Sequence, residues 1–266
     1  MNSPLVTLRV WGDLACFTRP ELKVERVSYP VPTPAAARGI LEAVFWEPQM
    51  YYLVDAIRIV KKGRWIPIRR NEVTKVASLN PRQAPIRAGG GAPDAAQRNM
   101  LALADVEYLL TAEVHLTALA DPGRDSVAKY QAEIERRARQ GKCAHRPGMG
   151  MREFAADFEW EPDPAAAVAR RARELNQDTT AYQEDLGLML YDVFLPEDRR
   201  AGFRWRRDDD LAPTSPPARP RRRPGRDHLG ELAKLRAAFF HARVAHGCID
   251  CHPSRVRILG SREAPQ

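Results

Sequence analysis

The sequence has 266 residues, of which 44% are hydrophobic and 29% charged, so it is long enough to bury one large core or two small ones. It carries 42 Lys and Arg against 34 Asp and Glu, a net charge of +8 that favours a polyanionic partner, either nucleic acid or an anionic membrane surface. Because no run approaches the roughly 20 apolar residues of a spanning helix, and residues 1–11 lack a signal-peptide pattern, we expect a cytoplasmic protein without a membrane partner.

The first part of the chain is predicted to contain strands and one helix. Polar and apolar residues alternate over 5–11, which is the pattern of a half-buried strand. Thr33 and Pro34 are typical of a helix N-cap and first helical position, so a helix is predicted over 35–45. A β-hairpin is predicted next. Its parts are a strand at 52–60, a turn at 61–63 and a strand at 64–68.

The middle of the chain combines a loop, a long strand and a second helix. Prolines and three successive glycines over 80–97 predict a mobile loop. Alternation over 106–119 predicts the clearest strand of the chain. Ser126 is predicted to be the N-cap of a helix that runs to Gln140. Further strands are predicted at 154–160, 186–195 and 239–244, a mixture that indicates an α+β fold.

The segment Arg199–Arg226 differs in kind, because it holds ten arginines and five prolines and offers no apolar face. We predict an extended, poorly ordered segment that either contacts a polyanion or is only a solvated linker. A helix over 228–237 is predicted to lead into the last strand.

The cysteines allow one further interpretation. Cys248, Cys251 and His252 match the pattern of covalent c-type haem attachment, and a zinc site with His246 or His241 is a second possibility. Haem attachment requires export, and no export signal is visible. Ordinary reduced thiols are therefore the preferred interpretation, and we expect no cofactor and no metal.

Three parts of the chain resemble one known family. They are Leu8–Tyr29 with Pro34–Trp46, then Ile68–Val73, and then Glu135–Pro147 continuing through Met151–Phe154. Together they resemble the CRISPR-associated Cas-five proteins of type I-C (Dvulg subtype), which belong to the RAMP superfamily, and the resemblance covers nearly all of residues 4–195.

The resemblance implies an α+β fold with a ferredoxin-like, RRM-like RAMP domain and a smaller β-rich C-terminal region. It divides the chain into a ferredoxin-like RNA-recognition domain at 1–122, a helix and β-rich C-terminal region at 123–198, a basic, disordered Arg/Pro-rich insertion at 199–227, and a C-terminal helix with terminal strands at 228–266.

The resemblance also implies a function. The chain would be a type I-C Cascade subunit that binds the 5′ handle of crRNA and cleaves pre-crRNA, without metal, at the base of the repeat hairpin. Its partners would be crRNA, target DNA near the PAM, and the backbone and large subunits of Cascade. The first alternative is a non-catalytic subunit that caps the handle and contacts DNA on the PAM side. The second is a redox or metal protein built around Cys248, Cys251 and His252.

The resemblance places the candidate catalytic residues at Lys129 and Tyr130. Family members carry a Lys-His pair there, so Lys129 matches and can supply positive charge, whereas Tyr is a poorer general base than His at neutral pH. A catalytic Tyr of the family falls at or beside Phe45, which has no hydroxyl. Tyr130 also lies on the apolar stripe of its helix, so a core role is the alternative. His145 is a candidate substitute base, with a phosphate contact or a plain surface position as its alternatives.

Basic and aromatic residues in the matching stretches are candidate RNA contacts, and a merely solvated basic face is the alternative. The set is Arg19, Lys23, Arg26, Arg38, Trp46, Arg69, Arg70, Arg136, Arg137, Lys142, His145, Arg146 and Arg152.

Overall fold

The computed structural model describes residues 5–75, 85–87, 89–117, 119–194 and 236–260. The predicted Arg/Pro-rich insertion at 199–227 lies outside these ranges. Within them the chain forms strands β1 (Leu5–Ala15), β2 (Phe17–Thr18), β3 (Arg26–Tyr29), β4 (Met50–Lys61), β5 (Arg64–Val73), β6 (Ala95–Leu116), β7 (Asp157–Trp160), β8 (Glu184–Phe194), β9 (Arg236–Ala245), β10 (Cys248–Asp250) and β11 (Ile258–Gly260). The helices are α1 (Pro34–Val44), α2 (Val127–Arg139) and α3 (Pro164–Leu175). The mixed α+β class is confirmed, with strands dominant.

Strand β6 is the centre of the sheet. Along one edge it pairs antiparallel with β4 and then with β5, and along the other it pairs with β1 and, in parallel, with the short β3. Strand β7 extends the sheet beyond β1. On the far side of β4, β10 leads to β9, which also pairs with β8 and β11. The described strands therefore form one sheet organised around β6.

The prediction of a β-hairpin after α1 is wrong, because its two strands, β4 and β5, pair with β6 and not with each other. Strands β4 and β5 run in the same direction along β6, β4 against 107–116 and β5 against 95–104. A Cβ at Gly63, between the two strands, would clash with Val106 of β6, so glycine permits the close passage. Opposite this junction Asp105 adopts a positive φ of 61° and interrupts the pairing. The Lys-Lys-Gly stretch is thus a break within one long ribbon, not a turn.

Each of the three described helices begins with a side-chain N-cap. The Oγ atom of Ser126 accepts a hydrogen bond from the backbone N–H of Lys129 at 3.2 Å, and Thr33 and Asp163 cap α1 and α3 in the same way. Each cap satisfies a backbone donor that has no partner inside the helix. The predicted helix starts at Thr33 and Ser126 are confirmed.

The helices lie on both faces of the sheet. Tyr108 and Leu110 of β6 belong to the main core, against which α1 and α2 pack. Leu109 points to the opposite face, where it meets Val60 and Ala167 of α3, because successive strand residues alternate between faces. Helix α3, in which Ala167 is the buried residue, was not predicted from the sequence, although Asp163 as N-cap and Pro164 at the first helical position are the signals that could have found it.

Other predicted boundaries also shift. Residues 95–97, predicted to be loop, belong to β6 because they pair with β5. The strand predicted at 154–160 is the shorter β7, which ends where its pairing with β1 ends. Arg236 and Ala237 lie in β9 rather than in a helix, and the remainder of the helix predicted over 228–237 is outside the described residues. Neither the length nor the apolar content of any helix in the described ranges suffices to cross a membrane.

A buried carboxylate joins α3 to the sheet. The side chain of Glu107 is 4% exposed and accepts hydrogen bonds from Arg9 at 2.5 Å and from Arg171 at 2.7 and 2.8 Å. Burial alone would raise the pKa of Glu107, but the hydrogen bonds from the two arginines outweigh it and lower the pKa. Two guanidinium groups from different elements are therefore held by one charged acceptor.

Replacing Glu107 with Gln should lower the free energy of unfolding by about 2 to 3 kcal/mol, because two part-buried arginines lose the charge of their buried partner. This loss of unfolding free energy is smaller than for a fully buried ion pair, because each arginine keeps a second carboxylate. Arg9 also contacts Glu159, and Arg171 also contacts Glu174. Urea unfolding at neutral pH measures it.

Glu159→Gln is the matched control, because its side chain is 44% exposed and should contribute no more than about 1 kcal/mol. A lowered carboxyl pKa gives stability that is present above the ordinary value of about 4.3 and is lost as pH falls through the lowered value. The difference between wild type and Glu107→Gln should therefore shrink in acid. Equal losses for the two variants would contradict the account.

Candidate nucleic-acid interface

The loop that follows α2 is fixed to the end of α1. The backbone N–H of Ala144 donates to the carbonyl of Ala43 at 2.9 Å, and that of His145 donates to the same oxygen at 3.2 Å. These bonds satisfy carbonyl groups at the last turn of α1 that have no partner within the helix. Farther along, the backbone N–H of Cys16 donates to the carbonyl of Met149 at 2.9 Å, so the loop is also tied to the end of β1.

An open cleft of about 670 Å³ lies between α1 and this loop. We call it the α1 cleft. Its lining residues are Ala36, Gly39 and Ala43 from α1, and His145, Arg146, Gly148, Gly150, Met151 and Arg152 from the loop. The helix face bears only small side chains, so an extended ligand can approach the backbone of α1. Gly150 has a φ of 81°, and a Cβ there would clash with the carbonyl of Cys16, so the loop takes this path only with glycine.

The polar side chains that line the α1 cleft, His145, Arg146 and Arg152, are exposed. Within the described part of the chain, the side chains of His145 and Arg152 make no hydrogen bond or ion pair. Arg146 forms an ion pair of 3.1 Å with Asp157, and both side chains are more than half exposed. Such a surface pair is worth little and exchanges readily for another anion. The cleft thus presents three side chains suited to phosphate.

A second depression, of about 370 Å³, lies at the start of α2. We call it the α2 depression. It is lined by Phe45, Glu47, Lys129, Tyr130, Ala132, Glu133 and Arg136. The sequence-predicted catalytic residues Lys129 and Tyr130 therefore lie together, beside the Phe45 position.

Lys129 and Tyr130 share one carboxylate oxygen. The Oδ1 atom of Asp125 accepts from the Tyr130 hydroxyl at 2.6 Å and from the Lys129 ammonium at 3.0 Å. The hydrogen bond from Tyr130, with further donors from the Asp121 backbone and Lys129, lowers the pKa of Asp125 to about 2. Sequence reasoning missed Asp125, although an acidic residue four positions before Lys129 is the signal that could have found it.

Tyr130 is a buried residue. Its side chain is 1% exposed, belongs to the main core and lies with its ring centroid 6.1 Å from that of Phe45. Burial, followed by the hydrogen bond to Asp125, raises the pKa of Tyr130. The phenol is therefore protonated at neutral pH and is a donor rather than a base. Lys129, by contrast, is half exposed and can bring positive charge to a bound phosphate.

The other candidate RNA contacts do not form one group. Lys23, Arg69 and Lys142 are exposed and make no hydrogen bond or ion pair with described residues, and Trp46 is 42% exposed. The remaining arginines contact the protein itself: Arg19 lies over Tyr29, Arg26 and Arg70 contact Glu72, Arg38 is held by Asp192 and Glu42, and Arg136 and Arg137 bind Glu133. Of the predicted set, only His145, Arg146 and Arg152 meet in the α1 cleft.

The cysteine pattern near the C-terminus begins in β10 and continues into the segment that follows this strand. Cys251 is fully buried and its thiol contacts the carbonyl of Ile249, and burial raises the pKa of both Cys248 and Cys251. A raised pKa disfavours the thiolate that a metal would need. His252 bonds to Ser254 at 2.6 Å. Among the residues described, no group of three or more His, Cys, Asp or Glu is arranged to hold a metal ion.

Comparison with known proteins gives consistent matches. The family model described as CRISPR-associated protein (Cas_Cas5) matches residues 5–252. The CRISPR pre-crRNA endoribonuclease Cas5d of Thermus thermophilus is 38% identical over 256 residues, which are 95% of this chain and 93% of that protein. The enzyme of the same name from Mannheimia succiniciproducens is 38% identical over 197 residues, 71% of this chain and 84% of that protein. A solved structure described as a CRISPR-associated protein has a similar fold, with TM-score 0.55 and 19% identity over 93% of this chain and 91% of that chain.

Replacing Tyr130 with Phe should lower the free energy of unfolding by about 1 to 2 kcal/mol, because it removes a hydrogen bond to a charged carboxylate. Tyr108→Phe is the matched control. The Tyr108 hydroxyl is buried and has no hydrogen-bond partner in the described part of the chain, so its removal should be neutral or stabilising. Denaturant unfolding of both variants measures the difference, and equal losses would show that the bond to Asp125 contributes nothing.

Proposed function

The chain belongs to the family of CRISPR-associated Cas5 proteins, and we propose that it binds the repeat-derived 5′ handle of crRNA and cleaves pre-crRNA, without metal, at the base of the repeat hairpin. It would do so as a cytoplasmic subunit of a type I-C Cascade complex, in contact with the backbone and large subunits. The observation that carries the proposal is the open α1 cleft, in which His145, Arg146 and Arg152 meet small residues of α1. Both curated relatives are named pre-crRNA endoribonucleases, which supports the choice of substrate.

We further propose that the core of the fold is ferredoxin-like. The elements β1, α1, β4, β6, α2 and β7 follow each other in the order β-α-β-β-α-β. The corresponding strands lie in the order β4-β6-β1-β7, all antiparallel to their neighbours. This arrangement supports an RNA-recognition core that runs from β1 to β7, and two of its elements, α2 and β7, lie beyond residue 122. The division into parts at 1–122, 123–198, 199–227 and 228–266 stays a prediction.

Cleavage of RNA without metal needs a base that takes the proton of the 2′-OH and cations that stabilise the charge on phosphorus in the transition state. Lys129 is the candidate for such a cation, because its ammonium lies at the edge of the α2 depression with 52% of the side chain exposed. Tyr130 is the candidate that family resemblance supplies at the position of the base. Its raised pKa and its hydrogen bond to Asp125 suit it to hold Asp125 and Lys129 in place.

A non-catalytic subunit is the second candidate function. It would cap the 5′ handle and contact target DNA near the PAM. Two observations favour it, because they leave the α2 depression without an evident general base. The Tyr130 hydroxyl donates its hydrogen bond to Asp125, and Phe45 has no hydroxyl. Cleavage by the purified protein would exclude this alternative.

In a single-turnover assay with one CRISPR repeat RNA in EDTA, Lys129→Ala should reduce cleavage at least 10-fold and leave RNA affinity within a few-fold. The reason is that a cation increases the cleavage rate most when it lies beside the phosphate oxygens on which negative charge develops in the transition state. Lys62→Ala is the matched control, because Lys62 likewise lies over a tyrosine ring, Tyr182 at 4.0 Å, and pairs with a carboxylate, Glu184 at 3.2 Å. A Lys129→Ala enzyme as fast as wild type would remove Lys129 from the catalytic set.

Arg152→Gln should weaken repeat-RNA binding and reduce the slope of log K against log salt by about 0.7 to 0.9, as expected for the loss of one phosphate contact. Arg173→Gln removes the same charge from the exposed surface of α3, on the opposite face of the sheet, and should leave the slope unchanged. Fluorescence anisotropy at several salt concentrations measures both. Equal changes for the two variants would indicate that only net charge matters.

A further inference from the structure

We propose that His145 is the general base of RNA cleavage and that the scissile phosphodiester lies in the α1 cleft, between His145 and the guanidinium groups of Arg146 and Arg152. This inference rests on the proposed function. It differs from the family resemblance, and from the role considered above for Lys129, both of which locate the chemistry in the α2 depression. If the reaction takes place in the α1 cleft, Lys129→Ala should cleave at nearly the wild-type rate, and a 10-fold loss in that variant would favour the α2 depression instead.

The position of His145 is fixed by its backbone. Its N–H donates to the carbonyl of Ala43, so the residue is held at the last turn of α1 while its imidazole stays exposed. A general base must be held within reach of the substrate proton and must be free to accept it. The imidazole of His145 meets the second requirement, because it makes no hydrogen bond with the described residues.

The other described histidines are less suited to this role. His115 lies 2.7 Å from Glu113, His241 lies 3.2 Å from Asp185, and His252 bonds to Ser254 at 2.6 Å. His246 lies in the turn between β9 and β10, outside the two clefts described above. Within the described ranges, His145 therefore combines a free imidazole with a cleft and with neighbouring arginines.

Charge distribution also favours the α1 cleft. Its lining contains Arg146 and Arg152 and no carboxylate, and Asp157, outside the lining, forms an exposed ion pair with Arg146. In the α2 depression the two cations, Lys129 and Arg136, are balanced by Glu47 and Glu133, and the carboxylate of Asp125 binds Lys129 as well. A phosphodiester approaching the α2 depression meets these negative charges. In the α1 cleft it meets two guanidinium groups whose N–H donors match phosphate oxygens.

The step can be written with all atoms in balance. The imidazole of His145 takes the proton of the 2′-OH, and the 2′-oxygen forms a bond to phosphorus. The bond between phosphorus and the 5′-oxygen breaks, and that oxygen takes a proton from water in the open cleft. The products carry a 2′,3′-cyclic phosphate and a 5′-OH. Arg146 and Arg152 bind the non-bridging oxygens of the phosphate, whose negative charge increases in the transition state.

The test compares His145→Gln with wild type in single-turnover cleavage of one CRISPR repeat RNA in EDTA. We expect a rate at least 100-fold lower, the usual minimum for loss of a general base, with RNA affinity within 3-fold and an unchanged melting temperature. His241→Gln is the matched control and should cleave at the wild-type rate. In His145→Gly, added imidazole should restore part of the rate, which a purely structural role would not allow.

The outcomes separate this inference from the proposed function. If wild type cuts the repeat and His145→Gln cuts it equally fast, the inference is overturned and the proposed function stands. If wild type binds the repeat without cutting it, the endonuclease proposal and the inference both fall. A loss in His145→Gln without rescue of His145→Gly by imidazole would also overturn the assignment of His145 as base.

Discussion

The 22-residue strand β6 is the element on which the other parts of the described structure depend. It satisfies its backbone hydrogen-bonding groups on both edges, with β4 and β5 along one side and β1 and β3 along the other. Alternation of its side chains assigns Tyr108 and Leu110 to the core under α1 and α2, and Leu109 to the face under α3. A shift of one residue in its register would exchange these two faces.

The position of the α1 cleft follows from the sheet around β6 and the helices that pack on it. Helices α1 and α2 share one face of the sheet, and the loop after α2 reaches back to the last carbonyl groups of α1. Because the loop is held through its backbone, the side chains of His145 and Arg152 make no bond with the described residues, and Arg146 forms only an exposed ion pair with Asp157. The small residues of α1 and the arginines of the loop then form an open cleft of about 670 Å³ whose lining contains two arginines and no carboxylate.

Local patterns in the sequence were sufficient for the helix starts at Thr33 and Ser126 and for most strands, because caps and alternation are properties of neighbouring residues. They failed at Gly63, where the partner of β5 is a strand roughly 30 residues away and local turn chemistry could not reveal it. The family resemblance located Lys129 and Tyr130 but not the carboxylate of Asp125 that binds both. It named His145 and Arg152 in one stretch, but it could not show that both line a cleft against α1, since this depends on how the loop crosses the helix.

Photocrosslinking locates the RNA most directly. One CRISPR repeat RNA, with 4-thiouridine substituted at single positions on either side of the cut, is bound to the full chain, irradiated and mapped by mass spectrometry of the crosslinked peptides. Crosslinks from the nucleotides next to the cut are expected in peptides that contain residues 36–43 of α1 and residues 145–152 of the loop. Crosslinks confined to α3, on the other face of the sheet, would contradict the location of the RNA in the α1 cleft.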